Sequence, residues 1–265
     1  MRMMTIASGS SGNCIYVGND NTHILIDTGV SRKKIVDGLK MADLSISDIS
    51  AVLVTHEHSD HIKGLGVLSR KDGIPIYSTY GTIEGIKACD TIGTIDESLF
   101  NVVKADSDII INDLTVHTFN ISHDANEPVA YTISDGAKKV GVATDLGYFD
   151  DYIVDNLLGA NAMLIEANHD VNLLQVGSYP YYLKQRILGN RGHLSNENSG
   201  RLIDRVLHSD VKHVFLGHLS KENNYDKLAF ETVRLEIDMS ESEYRAADFN
   251  IEVARRDVPS EVIFI

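Results

Sequence analysis

Three histidines and an aspartate crowd one short stretch, His56-Glu57-His58-Ser59-Asp60-His61. Imidazole nitrogens and carboxylate oxygens are the donors that divalent transition ions take. Residues two apart in an extended segment share a face, so His56 and His58 can hold one ion. Asp60 and His61, after a bend, can hold a second. Each ion then needs partners from elsewhere in the chain. His123 can complete the first, His218 the second, and Asp145 can bridge both. Neutral imidazoles and two aspartates around two dications leave a net positive centre, suited to an anionic phosphodiester. Paired ions about 3.5–4 Å apart activate water and stabilise both the entering and the leaving oxygen. Nitrogen-rich ligation favours zinc, manganese or iron over magnesium or calcium.

A phosphodiester leaving group departs as an alkoxide and needs a proton. Glu166 opens Glu166-Ala167-Asn168-His169-Asp170, and His193 lies in Gly192-His193-Leu194-Ser195-Asn196. Hydrogen-bonded together, they form a candidate general acid, because a carboxylate beside a ring stabilises the imidazolium. The competing reading is a buried structural pair. Asp60, Glu166 and His193 are thus the catalytic candidates. Substrate grip falls to Lys184, Arg186 and Arg191 with Tyr179, Tyr181 and Tyr182, as cations for phosphates and rings for unpaired bases. The same residues can equally form the outer face of a helix. Ser10 and Asn13, in the loop Ser8-Gly9-Ser10-Ser11-Gly12-Asn13, are further candidate contacts or simply turn residues. His169, Ser195, Asn196, Lys221 and Asn223 complete the candidates, with Ser195 also a good helix N-cap.

These residues need a scaffold. Ala51 to Val54 is an apolar, β-branched run that reads as a strand buried on both faces. Strands are expected at Thr5–Ala7, Cys14–Val17, His23–Ile26, Ile74–Tyr77, Phe100–Val103, Ile109–Ile111, Leu114–Phe119, Met163–Ile165 and His213–Leu216. Val129–Ile133 and Val140–Ala143 read as a hairpin around Asp135-Gly136. The tail reads as two strands, 250–255 and 261–265, joined by a turn at Pro259. Helices are expected at 31–39, 61–69, 82–89, from Ser195 to about Leu207, and 227–236. Four strands end in a His or an acid: His56, Asp145, Glu166 and His218. Polar residues gathered at strand ends are how an α/β scaffold builds a site. Asp27, ending His23–Ile26, reads either as a turn residue or as a carboxylate orienting a ligand histidine.

The net charge is −14, which argues against nucleic-acid binding by the whole surface but leaves room for a local basic groove. Arg32, Lys33 and Lys34 read as a solvated helix face. Cys14 and Cys89 are too few for a disulfide framework and read as buried thiols in a reduced, cytoplasmic protein. No run reaches membrane-spanning length, and no signal-peptide core is visible. The chain reads as one domain, and nothing in it sets an oligomeric state.

The run Thr55-His56-Glu57-His58-Ser59-Asp60-His61, followed in order by His123, Asp145 and His218, resembles the metallo-β-lactamase superfamily. That resemblance implies an α/β fold, a four-layer αββα sandwich with the metals at one edge. Glu166, His193 and Leu216-Gly217-His218-Leu219-Ser220 look like its nuclease side, where the matching Glu and His donate a proton together. The loops at 8–13, 122–125, 166–170, 192–196 and 218–224 are similar to the YycJ/WalJ/VicX family. That likeness implies a manganese-dependent 5′→3′ DNA exonuclease linked to repair. Only 73 residues separate Asp145 from His218, too few for the clamp domain of the β-CASP nucleases. No glycine- and proline-rich arm like that of the tRNA 3′-processing enzymes is evident. Two other functions stay open: a hydrolase of a small thioester, lactone or β-lactam, and a non-catalytic regulatory partner. An intact proton-donor pair argues against the last.

Overall fold

The computed structural model describes residues 1–265, and its strands form two seven-stranded sheets. The first sheet holds, in spatial order, β1 (Arg2–Ala7), β2 (Cys14–Gly18), β3 (His23–Ile26), β4 (Ile49–Leu53), β5 (Ile76–Thr79) and β6 (Phe100–Val103). The second holds β7 (Ser107–Ile111), β8 (Leu114–Asn120), β9 (Val129–Ser134), β10 (Lys139–Ala143), β11 (Ala162–Glu166), β12 (His213–Gly217) and β13 (Asn250–Val253), again consecutively. A final strand, β14 (Ile263–Phe264), returns to the first sheet and pairs with β1. The two tail strands therefore do not form the hairpin their sequence suggests. The segment between them crosses from sheet to sheet and is pinned on β1. There Ser260 N donates to Thr5 O at 2.9 Å and Thr5 N donates to Ser260 Oγ at 3.0 Å.

The helices are α1 (Arg32–Leu39), α2 (Ser59–Ile62), α3 (Leu65–Asp72), α4 (Tyr80–Lys87), α5 (Asp151–Leu157), α6 (Val171–Val176), α7 (Tyr181–Leu188), α8 (Asn196–Val206) and α9 (Asp226–Asp238). Three apolar clusters fix the layers. Ile35, Leu39, Leu65, Leu68 and Ile86 pack α1, α3 and α4 on Tyr16, Leu25, Val52 and Val54 of the first sheet's outer side. Ile24, Ala51 and Leu53 face Val116, Tyr131, Val142, Leu164 and Phe215 between the sheets. Val154, Leu157, Leu202, Ile203, Val233 and Ile237 cover the second sheet's outer side. This is the four-layer αββα sandwich expected. Residues 51–54 are uniformly apolar because alternate side chains enter different cores. Truncating a residue such as Leu53 to alanine would cost about 2–5 kcal/mol.

Strand direction positions the site. β3 to β6 run parallel, as do β10 to β13, so their carboxyl ends gather along one edge. At that edge Val129 N donates to Thr55 O at 3.0 Å, tying the two sheets together. The expected helix from 61 to 69 is divided, because Gly64 N donates to Thr28 O at 2.7 Å instead of continuing α2. α5 and α6 were not anticipated, although each has an aspartate cap. Asp150 Oδ1 accepts from Ile153 N at 3.2 Å, and Asp170 Oδ1 accepts from Leu173 N at 2.7 Å. Cys14 is buried as expected, whereas Cys89 is half-buried at the end of α4.

Candidate metal centre and proton donor

The strand ends deliver their polar residues with an unusual backbone. Asp27, Asp145 and His218 all sit in the left-handed region, with φ of +59°, +62° and +55°. Asp, Asn and His tolerate that region better than other side-chain-bearing residues. The turn it makes at each strand end swings the following chain aside.

The gathered side chains form two clusters sharing a centre. His56, His58 and His123 make one; Asp60, His61 and His218 make the other; His56, His61 and Asp145 link them. Within each cluster the donor atoms lie within 4.8 Å of one another. His56 Nε2 and His123 Nε2 approach His58 Nδ1 at 3.1 and 3.2 Å. His218 Nε2 lies 3.1 Å from Asp60 Oδ2, and His61 Nε2 lies 3.3 Å from Asp145 Oδ2. All seven proposed ligands are thus brought to one edge.

The outward ring nitrogens explain the inward ones. His61 Nδ1 donates to Asp27 Oδ2 at 2.7 Å, and His123 Nδ1 donates to Gly192 O at 3.0 Å. His218 Nδ1 donates to Glu166 Oε1 at 2.9 Å. His56 Nδ1 donates to Thr55 Oγ1 at 3.0 Å, and that hydroxyl donates in turn to Asp27 Oδ2 at 2.9 Å. With Nδ1 so engaged, these four rings turn Nε2 to the centre, the atom each would offer a metal, whereas His58 turns its Nδ1 inward. Asp27 takes the orienting role, holding His61 and Thr55 together.

The donor set fits a pair of cations. The inward nitrogens of His56, His58 and His123 crowd to 3.1 and 3.2 Å, and Asp145 Oδ2 is buried with no hydrogen-bond donor. Electrostatics agree. Burial opposes a proton on His218, yet Asp145, Asp60 and Glu166 outweigh it and raise the ring to about 10. Burial likewise opposes charge on His61, but Asp145, Asp27 and Asp60 push it well above its ordinary value. His56 is pushed well below its ordinary value by burial and by its neighbour His61. Burial would lift Asp145 and Asp60, but His218 and His61 hold both carboxyls well below their usual range. The field at the centre favours positive charge, which a bound cation would supply.

Glu166 is the pivot beside the two ligand clusters. Fully buried, it accepts four hydrogen bonds. Oε1 takes His193 Nδ1 at 2.7 Å and His218 Nδ1 at 2.9 Å; Oε2 takes Leu146 N at 2.8 Å and Leu194 N at 3.1 Å. Burial alone would raise its carboxyl; the histidine contacts outweigh that and hold it at about 2. The His193 ring lies 5.1 Å from His123 and 5.3 Å from His218, centroid to centroid, so it touches both clusters. Its side chain is 17% exposed, and Nε2 has no protein partner. A strand-end carboxylate therefore fixes the ring by Nδ1 and leaves its other nitrogen without a protein partner. Sequence reasoning missed that Glu166 also orients His218.

Several candidate substrate contacts are placed otherwise. Asn13, Ser195, Asn196 and Asn223 are buried. Asn13 accepts from Gly9 N at 3.0 Å, and its backbone N donates to Asp60 O at 2.8 Å, so it holds the ligand loop. Ser195 caps α8, with its hydroxyl accepting from Asn198 N. Asn196 exchanges amide hydrogen bonds with Asn224, and Asn223 closes a turn on Ser220. The basic segment is tied to the framework around His123. Arg186 pairs with Asp124 through two nitrogens, and Arg191 Nε donates to His123 O at 3.1 Å. Lys184 Nζ donates to the carbonyls of Gln175 and Gly177, both at 2.7 Å. Tyr181 and Tyr182 are exposed, Tyr179 is half-buried, and Lys221 and Ser10 are exposed. Ser10 Oγ accepts from Arg256 at 3.3 Å. His169 is 1% exposed, and neither ring nitrogen has a partner. Ser8 was the other omission: its hydroxyl accepts from His218 N at 2.9 Å and donates to Asn13 Oδ1 at 3.3 Å. Strand-end position could have found Glu166's second contact; the Ser8 link has no local signal.

Comparison with known proteins follows the same lines. A family model described as a β-lactamase superfamily domain matches residues 22–218. Exodeoxyribonuclease YycJ of Bacillus anthracis is 41% identical over 230 residues, 86% of each chain. Exodeoxyribonuclease WalJ of Streptococcus pneumoniae is 41% identical over 228 residues, 86% of this chain and 85% of that one. Among solved structures, the metallo-β-lactamase fold protein YhfI of Bacillus subtilis shares the fold. Its TM-score is 0.68 at 16% identity, with 98% of each chain covered.

Proposed function

Because the chain belongs to the β-lactamase superfamily, and within it to the family of the YycJ and WalJ exodeoxyribonucleases, we propose that it is a metal-dependent DNA exonuclease. The observation that carries this reading is the Glu166–His193 pair, bonded at 2.7 Å and set against both ligand clusters. A purely structural metal site needs no proton donor. His56, His58 and His123 would hold one ion, Asp60, His61 and His218 the other, and Asp145 would bridge them. When bound, the pair of ions supplies activated water and charge stabilisation for in-line displacement at phosphorus. The donor set favours zinc, manganese or iron.

The chain's own residues do the rest. Glu166 Oε1 holds the His193 Nδ1 proton, leaving Nε2 to protonate the oxygen that departs from the scissile phosphate. Gly192 O and Asp27 fix the faces of His123 and His61. Exposed Tyr181 and Tyr182 offer stacking surface to unpaired bases. His169, with no partner inside the protein, is a candidate for a substrate or solvent contact beside Glu166. DNA as substrate rests on the relatives' names, and 5′→3′ polarity with a repair role on the family resemblance. Two free cysteines accord with a reduced, cytoplasmic setting, and no helix is long and apolar enough to cross a membrane. The chain is read as one catalytic domain.

The deciding experiment is a manganese- and zinc-supplemented assay on end-labelled duplex DNA, single-stranded DNA and RNA. Stepwise release of nucleotides from DNA is expected. Absence of cleavage on all three, with turnover of a small thioester or lactone, would replace this reading.

A further inference from the structure

The sequence presents Arg32, Lys33 and Lys34 as a solvated face, and the fold gives that face a neighbour. α1 and the α2–α3 turn enclose a groove of about 440 Å³. Lys33 and Val36 line one wall; Lys63, Val67 and Lys71, spaced four apart, line the other; Gly64 lies at its floor. Lys33, Lys63 and Lys71 are exposed, and none makes an ion pair or hydrogen bond through its ammonium group. Arg32 and Asp37 also line the groove, and both are already matched. Asp37 accepts from Lys40 at 2.9 Å, and Arg32 is bidentate with Asp72, both bonds 2.6 Å. Lys34 donates to Arg256 O at 2.8 Å. Three unmatched cations in one groove stand out on a chain with 38 acidic and 24 basic side chains.

The groove adjoins the loop that carries Asp60 and His61, since Lys63 and Gly64 line it. Lys63 follows His61 by two residues and ends α2, the helix that carries Asp60 and His61. Its floor is backbone against backbone: a Cβ at Gly64 would lie 2.1 Å from Val30 O. Thr28 N donates to His61 O at 2.8 Å, joining the α1 approach to the ligand loop. By contrast, Lys184, Arg186 and Arg191 are spent on internal partners.

We propose that the groove between α1 and α3 is the path of the substrate's phosphodiester backbone beyond the cleaved bond, with Lys33, Lys63 and Lys71 each facing a phosphate. This rests on the nuclease reading. It assigns grip on the DNA to a surface that the basic, tyrosine-bearing segment does not include. Cations that meet phosphates release counterions, and each contact contributes about 0.7 to 0.9 to the slope of log affinity against log salt.

The test compares K33Q/K63Q/K71Q with K87Q/K104Q/K227Q, a triple of identical net charge elsewhere on the surface, in the metal-loaded protein. KM for long end-labelled DNA and for a dinucleotide is measured across a salt series. The groove triple should raise KM for long DNA about tenfold or more and lower its salt slope by about 2 to 3. Dinucleotide turnover should stay unchanged, which also certifies folding, and the control triple should behave as the parent. Lys33→Gln alone, lowering the slope by just under one, provides the same reading should the triple fold poorly. If both triples match the parent on long DNA, or both shift alike, the groove is not the path while the nuclease reading stands. If the parent cleaves no nucleic acid, the nuclease reading falls and the path with it.

Discussion

Glu166→Gln separates two duties of one carboxylate. The side chain keeps its shape, but one of its two acceptor atoms becomes an NH2 group. Either that group faces Leu146 N and Leu194 N, or it faces His193 and His218. Both arrangements oppose donor to donor, and the ring side is the easier to relieve because imidazole can change tautomer. His193 and His218 would then carry their protons on Nε2 and accept at Nδ1. His218 Nε2, now protonated, points at Asp60 Oδ2 across 3.1 Å and cannot ligate. Loss of an orienting partner typically weakens a metal about 10–100-fold, and loss of general acid function slows turnover about 10²–10⁴-fold. The expected result is one ion weakened, that of Asp60, His61 and His218, while the ion of His56, His58 and His123 is retained. Turnover on DNA should fall by at least the general-acid factor. Metal content under graded chelator and single-turnover cleavage of long DNA read the two effects separately. A variant with both ions held as in the parent and turnover within a few-fold would refute the assignment of Glu166 to both rings.

His193→Ala should keep both ions and lose about 10²–10⁴ in turnover on DNA, with far less loss on a p-nitrophenyl phosphodiester whose leaving group needs no proton; equal losses on both would remove His193 from the donor role. Gly29→Ala would place a Cβ 1.6 Å from Asp60 O, so denaturant unfolding should show about 1–3 kcal/mol of lost stability together with weakened metal; an unchanged midpoint and metal content would show that the loop yields freely. For the chelated protein, His218 supplies the sign of the pH effect. Its folded value of about 10 exceeds its unfolded value near 6.5, so its contribution is complete below 6.5 and lost as pH rises towards 10. Urea midpoints at pH 6, 8 and 10 should fall over that window, and the fall should shrink when metal is bound; a rise would contradict the charge balance described.

The parts of the site legible from sequence are those that interrupt apolar strands. His56, Asp145, Glu166 and His218 each end such a run, and parallel strands bring their ends together without further information. Asp27 was legible for the same reason. What failed depends on contacts between distant segments. Strand β14 pairs with β1 across nearly the whole chain, so local alternation could not distinguish a sheet crossing from a hairpin. Lys184, Arg186 and Arg191 looked free because their partners lie on loops from other elements, chiefly around His123. Asn13 and Asn196 carry the polarity of a binding loop but spend it indoors. α5 and α6 are a different case: the caps Asp150 and Asp170 were visible, and only the shortness of the helices hid them.

The left-handed residues at the strand ends narrow what each position can become. At His56 or His123 a replacement is judged by its donor atom alone. At Asp27, Asp145 and His218 it must also accept a backbone that disfavours most side chains by about 1–2 kcal/mol. Glycine frees the turn but brings no ligand; glutamate brings a ligand but resists the turn; asparagine accepts the turn but forfeits the charge. Few substitutions meet both demands, so drift along this lineage should be slower at these three corners than at ligands on ordinary backbone. A laboratory search for altered metal preference would find more room at His58, which is half-buried and bound to no such turn.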